Sequence, residues 1–180
     1  RVSPHHNSAR YLVDRTREAL GILFGDASVP GFAYRYARGA RRSPFHEQML
    51  ALGCFCAGGV FARHAKLRVA FLEANCSWLP WLLWRLDEAW ELDGDVWAPD
   101  VKLKPSDYFK KHCVVSIEPD EMIANNVLEQ VGNGNLVFST DYPHVDSRYP
   151  EAVNYFLRLP FSDADKRKIL WDNCANYYAM

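Results

Sequence analysis

Four short runs, GILF (21–24), LRVAFL (67–72), CVVSI (113–117) and LVFST (136–140), carry apolar or small residues at almost every position. A strand that is apolar on both faces must be covered on both faces, which points to a parallel sheet beneath helices. Helical patterns fill the intervals. NSARYLVDRTREAL (7–20) is amphipathic with Asn7 or Ser8 as its cap, and Pro44 opens a second helix through about Gly58. Ser77 is placed to cap WLPWLLWRLDEAWEL, with Pro80 in its first turn. Trp78, Leu82, Leu86 and Trp90 recur at about one turn and predict a core-facing stripe. A polar connection (93–107) follows, and Pro119 is expected to start a helix over DEMIANNVLEQV. Ser162 and Asp165 mark the start of a last helix in SDADKRKILWDN.

The order is therefore α-β-α-β-α-β-α-β-α, an α/β chain with two closures open to it, a doubly wound sheet or part of a (β/α)8 barrel. No GxGxxG or phosphate-cradling GxxxxGK follows any strand, which removes the best support for a nucleotide-binding sheet. A whole eightfold barrel takes about 250 residues. Four strands in 180 residues read as the later half of one, strands 5 to 8 with their helices.

Composition narrows the function classes. With 49% hydrophobic residues and 24% charged ones, the chain has the makings of a folded core rather than a disordered tract. A net charge of −1 provides no global basic field, so nucleic acid is not expected as a partner. No apolar run approaches the roughly 20 residues of a membrane span. Charge is uneven, however: residues 1–46 hold 8 Lys and Arg against 3 Asp and Glu, with Arg35, Arg38, Arg41 and Arg42 close together. Five cysteines form no CxxC pair and sit mostly in apolar segments, which suits free thiols in a reducing cytoplasmic setting.

Asp26, Glu73, Glu118 and Asp141 each follow one of the four apolar runs. In a parallel α/β fold the C-terminal strand tips open on one face, the face that binds ligands. Carboxylates gathered there repel one another unless a cation lies between them or some hold protons. Divalent metal binding or acid–base chemistry resolves the conflict. Glu118, just before Pro119, also suits a helix start, and Asp26 also suits a turn. Glu73 and Asp141 follow at least five residues that are mostly apolar or small, so both are expected to be largely enclosed. In STDYPHVDS, Pro143 biases Tyr142 toward extended backbone, presenting Asp141 and His144 around one cavity. Trp78 is expected at the mouth as a pocket residue, whereas Trp81, Trp84 and Trp90 read as core or subunit-interface residues. His46, His64 and His112 read as packing or surface groups.

LVFSTDYPHVDS, followed by PEAV and SDADKRKILWDNCANYY, resembles the C-terminal signature of the amidohydrolase-2 family. These are metal-dependent (β/α)8 hydrolases and decarboxylases related to aminocarboxymuconate-semialdehyde decarboxylase. KLRVAFLEANCSWLPWLLWRLDE is similar to that family's sixth strand and following helix, and SPFHEQMLALGCFCAGGVFARH to the helix before it. The likeness covers nearly everything from Pro44; the first 43 residues match loosely.

The resemblance implies that Asp141, at the end of the eighth strand, binds the metal (usually zinc) and helps activate water or substrate. His144 matches the histidine of the family's DYPH motif. Glu73 stands at the sixth-strand tip, where decarboxylase members carry a histidine and other members an acid. The family's first-strand His-x-His falls outside these residues, and its fifth-strand histidine aligns near Gly25 and Asp26, neither of which is His. Asp26 as a ligand would shift preference from zinc toward manganese or magnesium. His5 and His6 precede a helix and are not read as ligands.

The expectation is thus that residues 1–180 form the C-terminal half of one metal-dependent barrel domain. It would hydrolyse or decarboxylate a small organic acid, aromatic acids included. Asp141 would be ligand and base, Glu73 and His144 proton carriers, and Asp26 a further ligand. Trp78, Glu118 and Arg41 would line the substrate pocket, Arg41 by gripping a substrate carboxylate. An open half-barrel also exposes apolar edges, so a homo-oligomer is expected. The alternative is a truncated or decayed half-barrel with no metal and no catalysis.

Overall fold

The structure, a computed structural model, describes residues 44–144 and 147–180. The expected helix at 7–20, the strand at 21–24, Asp26 and Arg41 lie outside the described residues. The other three expected strands all form: β1 (Val69–Phe71), β2 (Cys113–Ile117) and β3 (Leu136–Phe138). They make a sheet in the order β1-β2-β3 with both pairings parallel. Val69 stands opposite Cys113, and Val115 opposite Leu136. All five residues of β2 are buried, as a run apolar on both faces requires at the sheet's centre.

Helices supply the covering layer. They are α1 (Pro44–Cys56), α2 (Val60–Arg63), α3 (Leu79–Trp97), α4 (Pro105–His112), α5 (Ala124–Gln130), α6 (Ala152–Leu157), α7 (Asp163–Arg167) and α8 (Asn173–Tyr178). A π-helical turn, Lys168–Asp172, joins the last two. Leu52, Phe61, Leu79, Phe109, Val115, Ile117, Leu136, Phe156 and Ile169 are among the buried side chains of one continuous core. The α3 stripe behaves as its spacing predicts: Leu82 is buried, and Trp78, Leu86 and Trp90 pack against that core. Trp81 and Trp84 face outward, 57% and 55% exposed, and so are not core residues. His46 and His64 are exposed, while His112 is buried, stacked 4.5 Å from Phe61 with Nδ1 donating to the Leu67 carbonyl at 2.8 Å. Among the described residues no helix is long and apolar enough to cross a membrane.

Several boundaries differ from the pattern-based reading. The connection at 93–107 is partly helical: α3 kinks at Asp93 and continues to Trp97, then α4 begins at Pro105. Pro105 at the first turn, Asp107 near the N-terminus and Lys110, Lys111 and His112 at the C-terminus complement the α4 dipole. Ser77 does not cap α3; its hydroxyl donates to Glu121 instead. The helix after Pro119 starts only at Ala124, because Glu121 is drawn inward by the same contacts. α5 then stops at Gly132, whose φ of 98° lets its N–H reach the Val127 and Leu128 carbonyls. Ser162 does cap α7, accepting the Asp165 N–H at 3.1 Å.

The N-terminal end of the sheet is held by side-chain amides. Asn135 donates to the Lys110 and Cys113 carbonyls, and buried Asn173 donates to those of Asn133 and Leu136. None of the five cysteines is in a disulfide, and Cys54, Cys56, Cys76 and Cys113 are buried. Burial, then neighbouring Cys113, pushes the Cys56 thiol well above its ordinary value.

Candidate metal centre

At the opposite, C-terminal end of the sheet the chain leaves β1 at Glu73 and β3 at Asp141. Both residues take left-handed backbone, with φ of 64° and 57°. For residues other than glycine this is rare and costly, and such outliers gather where the surroundings hold a site in shape. Hydroxyls do the holding here. The Glu73 N–H donates to Ser116 Oγ at 3.1 Å, and the Asp141 N–H donates to Ser139 Oγ at 3.2 Å. Ser116 is buried within β2, so the central strand fixes the exit of its neighbour.

The turn that follows Asp141 brings back His144, whose N–H bonds the Asp141 carbonyl at 3.0 Å. Its Nδ1 lies 2.9 Å from Asp141 Oδ1. Nδ1–H is thus placed to donate to the carboxylate. Glu73, Asp141 and His144 each offer a ligand atom, and these lie within 4.8 Å of one another. Ligands of one divalent ion stand on the order of 3–5 Å apart, since each bond is about 2.0–2.6 Å. Two carboxylates and an imidazole therefore fit a zinc- or manganese-type ion, both by spacing and by donor chemistry.

The expected enclosure is not found. Glu73 is exposed, Asp141 is half-buried and His144 is 53% exposed at the side chain. A shallow cleft of about 350 Å³, lined by Leu128, Asn133, Phe161, Ser162 and Asp165 among others, includes none of the three.

The remaining sequence candidates are divided. Glu118 is half-buried at the tip of β2 but does not join the three-residue cluster. Trp78 lies beside the loop after Glu73, and its indole N–H donates to the Ala74 carbonyl at 2.7 Å, bracing that loop. Arg148 pairs with Asp120 at 2.8 Å, linking the loops after β3 and β2. Tyr142 and Tyr149 pack together on the same rim, ring centroids 4.5 Å apart.

Two residues were missed in the sequence reading. Ser116 falls there inside the apolar run CVVSI, and Glu121 inside the helix expected over DEMIANNVLEQV. Glu121 is instead buried and accepts the N–H groups of Cys76, Ser77 and Glu118. No local signal in the sequence marks either residue.

Known proteins share this fold in outline. A dihydroxybenzoic acid decarboxylase from Polaromonas sp. JS666, solved with bound manganese and the inhibitor 2-nitroresorcinol, superposes with a TM-score of 0.64 at 23% identity. It covers 84% of this chain and 47% of its own. The 2,6-dihydroxybenzoate decarboxylase from Rhizobium gives 0.65 at 20% identity, covering 84% of this chain and 48% of its own. These likenesses show an α/β fold with parallel strands of the kind found in amidohydrolase barrel decarboxylases. In sequence, gamma-resorcylate decarboxylase from Polaromonas sp. JS666 is 27% identical over 127 residues. That alignment takes in 68% of this chain and 37% of the relative. The 2-amino-3-carboxymuconate-6-semialdehyde decarboxylase of Dictyostelium discoideum is 25% identical over 139 residues, 74% of this chain and 37% of the relative. The chain thus spans little more than a third of the length of the curated relatives it matches. The amidohydrolase family profile matches residues 20–179. Because that match takes in well over half of its residues, the chain belongs to the amidohydrolase family.

Proposed function

We propose that the full-length protein is a divalent-metal-dependent carboxy-lyase or hydrolase acting on a small, preferably aromatic, carboxylic acid. The observation that carries this is the meeting of Glu73, Asp141 and His144 within 4.8 Å at the tips of two parallel strands. The fold likeness to decarboxylases supports placing β1 to β3 among the later strands of one eightfold barrel domain. A retained three-residue cluster does not favour an inert, decayed half-barrel.

Asp141 and Glu73 would hold the ion, with Asp26 as a further candidate ligand. Bound there, a divalent ion such as manganese or zinc supplies positive charge against which negative charge developing on the substrate is stabilised. Asp141 orients His144 through the Nδ1 contact, leaving Nε2 to accept or deliver a proton at the substrate. Trp78, Glu118 and Arg41 are proposed for the pocket, Arg41 meeting the substrate carboxylate.

Decarboxylation is the first reaction to test, because the relatives named above are decarboxylases. Hydrolysis stands second on one feature: Glu73 occupies a position where decarboxylase-type members are expected to carry histidine, and a carboxylate can take a proton from water. The test is the full-length protein loaded with manganese or zinc, assayed against dihydroxybenzoates for CO2 release and against lactones for ring opening. Turnover lost in Asp141→Ala is expected. A loaded protein that retains no ion and turns over neither class would overturn the reading.

A further inference from the structure

The stretch from Glu73 to Ser77 contains two left-handed residues that are not glycine, Glu73 and Asn75 (φ 56°). Backbone of this kind is uncommon for residues other than glycine. Such a course persists only if neighbours impose it. β1 supplies none of the restraint, since it ends at Phe71. The restraint comes from β2 and the turn after it. Ser116 takes the Glu73 N–H, and Glu121 takes those of Cys76 and Ser77. Glu121 is 6% exposed. Its carboxylate accepts the Cys76 N–H at 2.9 and 3.2 Å, the Ser77 N–H at 2.9 Å, the Ser77 hydroxyl and the Glu118 N–H at 3.2 Å. A buried carboxylate needs such a set of donors, and charge-assisted bonds of this kind are the strong ones. Burial first, and then Glu121, pushes the neighbouring Cys76 thiol upward, so no second anion competes there.

We propose that Glu121 is a positioning residue for the metal centre. By gathering the N–H groups of two strand-tip loops onto one carboxylate, it holds residues 73–77 in the course that brings Glu73 within 4.8 Å of Asp141 and His144. It touches neither ion nor substrate and acts through Glu73. The inference rests on the metal-centre reading, and its test separates the two.

Glu121→Gln in the full-length protein keeps the shape but turns amide hydrogens toward donors. Hydrogen exchange at Cys76 and Ser77 is expected to quicken, while exchange in α1 and α5 stays at its wild-type rate. Affinity for Mn2+, followed by electron paramagnetic resonance of the free ion, should fall by about 10-fold, toward the low end of the range for supporting groups. In a Glu73→Gln background the same substitution should change affinity by less than about 2-fold, because the residue it positions no longer carries charge. Unchanged exchange at Cys76 and Ser77 overturns the proposal, and so does an equal loss of affinity in both backgrounds. If the wild type binds no Mn2+, the metal-centre reading falls and exchange alone decides the positioning role. Should Glu121→Gln fail to fold, Ser77→Ala, which removes the hydroxyl donor alone, is expected to move exchange and affinity the same way by less; no movement in either counts against the clamp.

Discussion

Asp141 pays a conformational penalty to stand where it does. Left-handed backbone costs a non-glycine residue about 1–2 kcal/mol, and glycine nothing. Asp141→Ala and Asp141→Gly should therefore both lose the ion, yet differ in stability. The glycine variant is expected to be more stable than the alanine variant by about 1 kcal/mol in urea denaturation; equal stabilities would mean that the backbone at 141 stores no strain. The pairing of Asp141 with His144 was legible in the sequence, since DYPH puts acid and imidazole three residues apart around a proline. Exposure at Glu73 was not. A run of apolar neighbours along the chain reports what precedes a residue, whereas its cover depends on what stands across from it. Ser116 and Glu121 were hidden for a related reason: their partners lie more than forty residues away, so no local pattern marks them.

Elements with strong local chemistry formed where expected. The Ser162 cap is the clearest case, because its hydroxyl meets the Asp165 N–H and carboxylate within one turn. Ser162→Ala should cost about 1 kcal/mol of stability. The Ser162 hydroxyl, and next the Asn133 amide, hold the Asp165 carboxyl below its ordinary value of 3.8. A carboxyl lowered by folding stabilises the native state at pH above that ordinary value and ceases to do so as pH falls through its depressed one. The stability gap between wild type and Asp165→Asn should accordingly be present at neutral pH and close below about pH 3.8, as thermal melts at stepped pH will read. Helices α4 and α6, at 8 and 6 residues, escaped the pattern-based reading. One or two turns are too short for periodicity, and tertiary packing of Tyr108, Phe109 and Phe156 stabilises them instead. Asn173→Ala, which strips two carbonyls of their donor at the far end of β3, should cost about 2–3 kcal/mol and leave ion affinity unaltered.

At the scale of the molecule, the α/β class and the parallel order of three strands were readable because each strand is apolar on both faces. Closure was not, since nothing local states how many strands complete a sheet. Among the described residues β1 and β3 each have a strand on one side only. The 180-residue chain produced alone is therefore expected to self-associate and to show no turnover. Light scattering behind size-exclusion chromatography will check the first, and a monodisperse, active monomer would contradict both.

Asn173 belongs to KILWDN, and its amide fastens the start of β3, whereas DYPH lies beyond that strand's other end. The two halves of the recognisable C-terminal signature thus certify different things. On the proposed reading, a homologue that keeps the closing helix but has lost the aspartate would still assemble, while lacking a ligand for the ion. Sorting such sequences into working enzymes and silent scaffolds requires reading the turn and discounting the tail.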